Sequence, residues 1–297
     1  MLSPCEREEH RRTFWSIYIL DRLVSCSPHR PPTISDDDCT VHLPCDEVDF
    51  QRGLIVEQPT LGHMNDFPEN RPTQKLGWFA LTIFMASALG RIVRCNLQQS
   101  RTNVFTPWDS RGELANIWSV LLTFETYSNP LDKSFSDILA RDFVLNGNTI
   151  QQAAGHFVFA QMLYHFNQCL LHHPFLLYQR LKSYNSVVPP SFMKEVLQRS
   201  KLHADRLTEL LQDLQQRGYC DHQAFFGYGA FVAGFIHRLF DVAEEGSNVS
   251  TSHQYYQASL SFLDRKPATW SHFPRMVRQI PLSYPHRRLS KPRLSDS

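Results

Sequence analysis

Helix punctuation recurs along this chain, and runs of strict two-residue alternation do not. Ser3-Pro4-Cys5-Glu6 reads as a capping box with proline at the first helical position, and Glu8 and Glu9 follow where the positive end of the helix dipole favours acid. Ser110-Arg111-Gly112-Glu113 reads as a second box, opening a helix with Leu114, Ile117, Trp118, Leu121 and Leu122 on one side. The spacing predicts helices from Pro4 to about Cys26, over about 73–98, from 110 to the stop at Asn129-Pro130, and over 149–173 up to Pro174. Ser191 starts another, with Ala204, Leu207, Leu211 and Leu214 at helical spacing and Gly218 at C′. Asp221 caps a helix over 222–245 that Gly246 closes, and two shorter helices follow, about 252–264 and 268–280. Asn146-Gly147 is a hairpin dipeptide by composition, but helical patterns flank it. The reading is all-α: an irregular multi-helix bundle without a sheet of three or more strands.

Two stretches depart from that pattern. Residues 28–72 hold seven prolines (Pro28, Pro31, Pro32, Pro44, Pro59, Pro68, Pro72) and the acids Asp36, Asp37, Asp38, Asp46, Glu47 and Asp49. A Pro-rich acidic loop of this length after the first helix is either functional or partly mobile; Ser35 is placed to cap one turn within it. The last residues, from about 281, are polar and basic and read as a disordered tail, which leaves residues 1–280 as one domain and 281–297 as its appendage. At 297 residues, either one large domain or two small ones fits the length. The first helix is apolar nearly all round from Phe14 to Leu20, so it needs neighbours on several sides. A first helix short of neighbours is expected to leave some of Phe14, Trp15, Tyr18 and Leu20 uncovered.

Charge and cysteine usage exclude several classes of function. Thirty basic residues against 29 acidic leave a net charge of +1, too little for nucleic-acid binding driven by bulk charge. The longest apolar run, Trp78 to Leu89, ends at Gly90-Arg91 and reads as a buried helix, so no membrane partner is expected. The charged N-terminus has no apolar signal-type core. The seven cysteines are scattered without a C-x2-C pair, which suits a reducing intracellular compartment and gives this chain no cofactor site of its own.

Candidate chemistry is thin, and no enzyme is expected. His165, Cys169 and His172 share one helical face with His173 adjacent, a set that suits zinc by softness, yet no second ligand cluster pairs with it and a core helix accounts for it as well. Asp36-Asp37-Asp38 is consecutive in a loop, not one helical turn apart as a diphosphate-binding metal site requires. No G-x-S-x-G, P-loop or H-E-x-x-H occurs, and Gly227, Gly229 and Gly234 fit close helix packing better than a phosphate cradle. Asp21-Arg22 interrupts the apolar first helix. A half-buried arginine there needs a carboxylate, with Asp21 and the 36–38 loop as candidates. Arg30, its backbone stiffened by Pro31 and Pro32, is expected to anchor the loop to helix through Asp21 or one of Asp36–Asp38. In the tail, Arg287, Arg288, Lys291 and Arg293 match a nuclear-import signal, and Arg-Arg-x-Ser resembles a basophilic kinase site at Ser290; a plain solvated tail is the alternative.

The segment from Glu6 to Glu47 resembles the signature of the fungal-specific transcription factor regulatory domain, the middle homology region of Zn2Cys6 zinc-cluster activators, also called the xylanolytic activator regulatory domain. The resemblance rests on Arg11-Arg12-Thr13-Phe14-Trp15, on Tyr18-Ile19-Leu20-Asp21-Arg22, on Arg30-Pro31-Pro32-Thr33-Ile34 and on Asp37-Asp38 through Leu43-Pro44. Looser similarity continues through Ala88-Leu89-Gly90-Arg91-Ile92, Leu171-His172-His173-Pro174, the helix around Gly227 and Trp270. The resemblance begins inside the regulatory domain, so the chain is read as N-terminally incomplete: the family's helices before Arg11-Arg12 and its six-cysteine zinc cluster have no match. It implies a nuclear regulator of RNA polymerase II transcription, with transcriptional cofactors or a longer transcription factor as partners and a small-molecule effector in a helical pocket. Zinc and DNA enter only through the family's separate N-terminal cluster. The alternative is a DNA-independent interaction protein, a partner or dominant-negative form of a longer factor.

Overall fold

The computed structural model describes residues 2–26, 30–65, 76–96, 105–128, 135–145, 148–149, 151–182, 187–217, 224–243 and 250–264. Over these it is a helical bundle of α1 (Pro4–Val24), α2 (Glu47–Gln51), α3 (Leu61–Asn65), α4 (Trp78–Asn96), α5 (Glu113–Ser128), α6 (Phe135–Asp142), α7 (Gln151–Leu171), α8 (Pro174–Leu181), α9 (Pro190–Gln216), α10 (Ala224–Ala243) and α11 (Thr251–Asp264). The one sheet among the described residues is a two-stranded ribbon, β1 (Val144–Leu145) against β2 (Asn148–Thr149), which flanks the Asn146-Gly147 dipeptide. Helical flanks argue against pairing there; Val144 and Leu145 nonetheless pair with Thr149 and Asn148. The expected helix over 268–280, the caps at Gly218, Asp221 and Gly246, and the whole tail with Arg287, Arg288, Ser290, Lys291 and Arg293 lie outside the described residues.

The first capping box forms as its sequence requires. Ser3 Oγ accepts from the Glu6 amide at 3.2 Å and the Glu6 carboxylate accepts from the Ser3 amide at 2.7 Å, with Pro4 in the first turn. The second does not form. Helix α5 begins at Glu113 itself rather than at Ser110, and the Glu113 carboxylate turns to the Arg91 guanidinium at 2.9 Å. Asp109 competes for the turn, taking both the backbone amide and the guanidinium of Arg111. Leu122, expected on the buried side of α5, is 39% exposed, and Val120 and Phe124 are buried in its place.

Helices α4 and α7 are the central pair. Both are buried around most of their circumference, as helices apolar on all sides must be. By length and composition alone α4 is apolar enough to cross a membrane, but it is packed on by α7, α5 and α1. Polar groups tie the pair together: Asn167 donates to the Met85 carbonyl at 2.9 Å and Thr82 to the His156 carbonyl at 3.1 Å. Phe157 of α7 carries an aromatic stack with Trp78, Phe135 and Phe143, at centroid distances of 4.6, 5.3 and 5.0 Å. On the far side of α7 lie α9 and α10, with α11 packed against both. A Cβ at Gly229 would stand 2.9 Å from Met162 Cε, so the glycine lets α10 approach α7, the packing role expected of that helix.

Helix α1 is covered on one side only. Trp15 and Tyr18 are fully buried and Phe14 partly, whereas Ile17, Leu20 and Val24 are 56%, 59% and 40% exposed.

Candidate functional site

The motif residues of α1 form a clamp on the loop that follows. Glu8, Arg12, Trp15, Tyr18 and Arg22 recur every three or four residues and so share one face. That face supplies hydrogen bonds to a backbone that has few of its own. Arg12 reaches the Glu47 carboxylate at 2.5 Å, the Cys45 carbonyl at 2.9 Å and the Glu8 carboxylate at 3.1 Å, with its guanidinium 4.1 Å from the Phe50 ring centroid. Glu8, fully buried, also accepts from the Cys45 amide at 3.0 Å and pairs with Arg11. Burial opposes the charge on Arg12, but the Glu47 carboxylate outweighs it and raises the guanidinium pKa. Trp15 donates its indole N–H to the His42 carbonyl at 2.9 Å.

The second half of the clamp is centred on Arg22, which is 1% exposed. Its guanidinium donates to Asp21 at 2.7 Å, to Asp36 at 2.5 Å and to the Ile34 carbonyl at 2.7 Å. Asp21 takes the amides of Thr33 and Ile34 as well, at 3.0 and 3.2 Å. Asp36 accepts from the Tyr18 hydroxyl at 2.5 Å and from Ser87 of α4 at 2.7 Å. Burial alone would raise the Asp36 pKa; hydrogen bonds from Tyr18, Ser87 and Arg22 outweigh it and hold the carboxyl below its ordinary value. Loop, α1 and α4 are thus joined at one carboxylate.

Gly90 makes room for this. A Cβ there would lie 2.7 Å from Arg22 Cδ and 2.9 Å from Nε, on a side chain already fixed by three acceptors. Gly90→Ala is expected to cost about 1–3 kcal/mol, the usual range for overpacking, read as a lower urea midpoint; an unchanged midpoint would show that Arg22 yields freely.

The structure brings together some of the residues singled out in the sequence, with others beside them. Arg11, Arg12, Trp15, Asp21 and Arg22 meet in the clamp, while Phe14 packs on the core beside Trp15. Of the three consecutive aspartates, the turn from Ser35 aims Asp36 inward and leaves Asp37 and Asp38 exposed. Arg30 and Pro31 are exposed and Pro32 is half-buried; the guanidinium that holds Asp21 and Asp36 is that of Arg22. Glu8, Glu47 and Ser87 were not anticipated; only Glu8, four residues before Arg12, carried a local signal.

The histidine face of α7 turns to protein rather than to metal. His165 Nδ1 lies 3.1 Å from His203 Nδ1 on α9, and His172 Nδ1 donates to the Gln168 carbonyl at 3.0 Å. Among the described residues no three His, Cys, Asp or Glu side chains gather as a metal site would require. The buried thiols suit zinc poorly: burial pushes Cys39 and Cys45 up to about 11 and Cys26 to about 12, away from the thiolate a metal needs.

A second feature is an aromatic cleft of about 450 Å³ where α5, the end of α7, α8 and the start of α9 meet. Its lining includes Trp108, Trp118, Phe192, His172, Glu195 and Arg199.

With this geometry in place, similarity to known proteins can be assigned to parts of the structure. Residues 2–135, which contain the whole clamp, match the family described as fungal specific transcription factor domain. Residues 2–135 are thus similar to a fungal-specific transcription factor domain. Along 95% of its length it is 26% identical to the Zn(2)-C6 fungal-type transcription factor FTF1c of Fusarium oxysporum f. sp. lycopersici, covering 30% of that protein. Over 87 residues, 29% of this chain and 14% of the relative, it is 37% identical to the ascochitine biosynthesis cluster transcriptional regulator of Didymella fabae. Over 46 residues, 16% of this chain and 5% of the relative, it is 44% identical to an ABC-transporter-regulating transcription factor of Aspergillus fumigatus. The chain therefore spans 26–30% of the length of the Fusarium transcription factors it matches along 95% of its own length. No solved structure matches.

Proposed function

We propose that these 297 residues are the regulatory part of a nuclear zinc-cluster transcription factor and control RNA polymerase II transcription through contacts with transcriptional cofactors. The observation that carries this reading is the coincidence of the family match with the clamp. Several of the residues that carry the family resemblance, Arg12, Trp15, Tyr18, Asp21 and Arg22, are among those whose side chains tie the 30–47 loop to α1. Such a clamp has no reacting group and no open coordination position. It fixes the shape of a surface, which is what a regulatory module requires. In this reading DNA contact belongs to a six-cysteine cluster outside these residues, since the described cysteines are dispersed and the three thiols of the clamp region are held protonated by burial. Nuclear entry belongs to Arg287, Arg288, Lys291 and Arg293.

Tethering the intact chain to a heterologous DNA-binding domain at a reporter promoter tests the proposal. Transcription is expected to change several-fold in either direction, and an Arg12→Met variant that disrupts the clamp should abolish the change. Replacing the four basic tail residues with alanine should shift a fluorescent fusion from nucleus to cytoplasm. A folded, nuclear chain that leaves the reporter unchanged would overturn the regulatory reading.

A further inference from the structure

The cleft is built as a ligand site, not as a packing defect. Helices α5 and α9 both rest on α7, and the space between them is bridged by aromatic contacts instead of being filled. Trp108, from the loop before α5, meets Phe192 of α9 edge to face at 5.6 Å. The Arg199 guanidinium lies 4.6 Å from the Trp118 ring centroid. A volume of about 450 Å³ falls within the range that holds small organic ligands.

Its polar groups are few and incompletely used. Arg199 gives Nε–H to Glu195 at 3.0 Å, and its two Nη groups hold no hydrogen bond among the described residues. The Trp118 indole N–H is shut off from solvent, so Trp118 offers the cleft its ring and not its N–H. His172 spends Nδ1–H on the Gln168 carbonyl, and burial keeps the ring neutral, with its pKa near 4. Its Nε2 is therefore a lone-pair acceptor on the cleft lining. One kind of donor and one acceptor thus border an aromatic slot. Because Glu195 already balances the charge of Arg199, an anion gains little here over a neutral molecule.

We propose that this cleft binds an uncharged, planar, oxygenated aromatic molecule, with a carbonyl oxygen taken by the Arg199 Nη groups and a hydroxyl given to His172. The ring sits between Trp108–Phe192 and Trp118. Binding at this cleft stands on its own geometry; its role as the effector site rests on the regulatory reading above.

The test uses the purified full chain and 7-hydroxycoumarin, a phenolic lactone that carries both polar groups, followed by calorimetry and ligand-observed saturation-transfer NMR. Saturable one-site binding is expected, weakened at least tenfold for coumarin, which lacks the hydroxyl, and at least tenfold in Arg199→Met. Ala115→Trp, which fills the cleft from α5, should abolish it while the circular dichroism and melting temperature stay at wild-type values. Should Ala115→Trp misfold, Phe192→Ala and competition by unlabelled 1-naphthol against the NMR signal carry the same decision. No saturable binding up to 1 mM, or equal binding in the filled variant, overturns the proposal. The two readings fail separately. Binding without any ligand effect on the tethered reporter keeps the site and removes its effector role. A responsive reporter without binding removes the site and keeps the regulatory reading.

Discussion

Lowering the pH from 7 to 5.5 is expected to remove a large part of this protein's stability. Five imidazoles, on His165, His172, His173, His203 and His237, are buried and that of His156 is partly so, and desolvation drives each pKa down: about 4 for His156, His172, His173 and His237, about 3 for His165 and about 2 for His203. In the unfolded chain each titrates near 6.5. Between about pH 6.5 and 4 the unfolded state therefore binds protons that the folded state refuses, and stability falls as pH falls. One pH unit below the unfolded value, each group withdraws about 1.4 kcal/mol. Even half of the six-fold sum, about 4 kcal/mol, is a large part of the 5–15 kcal/mol typical of a folded domain. The His165–His203 pair sharpens the effect, because two ring nitrogens 3.1 Å apart can share one proton but cannot both be imidazolium. Urea unfolding at pH 7.0, 6.0 and 5.5, at constant ionic strength, reads the slope directly. The double variant His165→Leu/His203→Leu should flatten it by about two protons. A midpoint unchanged over this range would mean that the imidazoles reach solvent.

The helices were legible in the sequence wherever a local interaction decides them. The Ser3 box, and Ala204, Leu207, Leu211 and Leu214 on the buried face of α9, needed nothing beyond their own spacing. Failures began where a distant group competed. Ser110 lost its partner because Arg91, on another helix, offered Glu113 a charge instead of an amide. Helices α6 and α8 are eight residues each, too short for periodicity to register, and exist because α9 and neighbouring elements pack on them. At the clamp, the need of Arg22 for carboxylates was readable from its place in an apolar helix. Which of Asp36, Asp37 and Asp38 would serve depended on a turn that only the folded loop defines. The cleft left no local trace at all: its walls come from segments around 108–118, 171–177 and 189–199, and nothing in any one of them announces the others.

Arg22→Met is expected to be the most damaging single substitution in the clamp, at about 3–5 kcal/mol, the range for removing one partner of a buried ion pair. The change deletes donors to Asp21, Asp36 and the Ile34 carbonyl together. It leaves the Asp36 carboxylate, 17% exposed, with only two hydroxyls to stabilise its charge. The reverse removal, Asp36→Asn, strands the buried guanidinium less severely, because Asp21 and the Ile34 carbonyl remain. Removing both charges leaves neither stranded, so the double variant should be more stable than the sum of the singles predicts, by 1 kcal/mol or more. Amide exchange adds a local readout: Thr33 and Ile34, whose N–H groups depend on Asp21, should lose protection in Arg22→Met before the α4–α7 core does. The pH window identifies the cause. The folded pKa of Asp36 is depressed, so its contribution is complete above the unfolded value near 3.9 and is lost as pH falls through the folded one. That window lies below the histidine window. Wild type and Asp36→Asn should therefore share one slope between pH 6.5 and 4.5, offset by a constant, whereas strictly additive singles would show that Arg22 and Asp36 are neighbours without being energetically coupled.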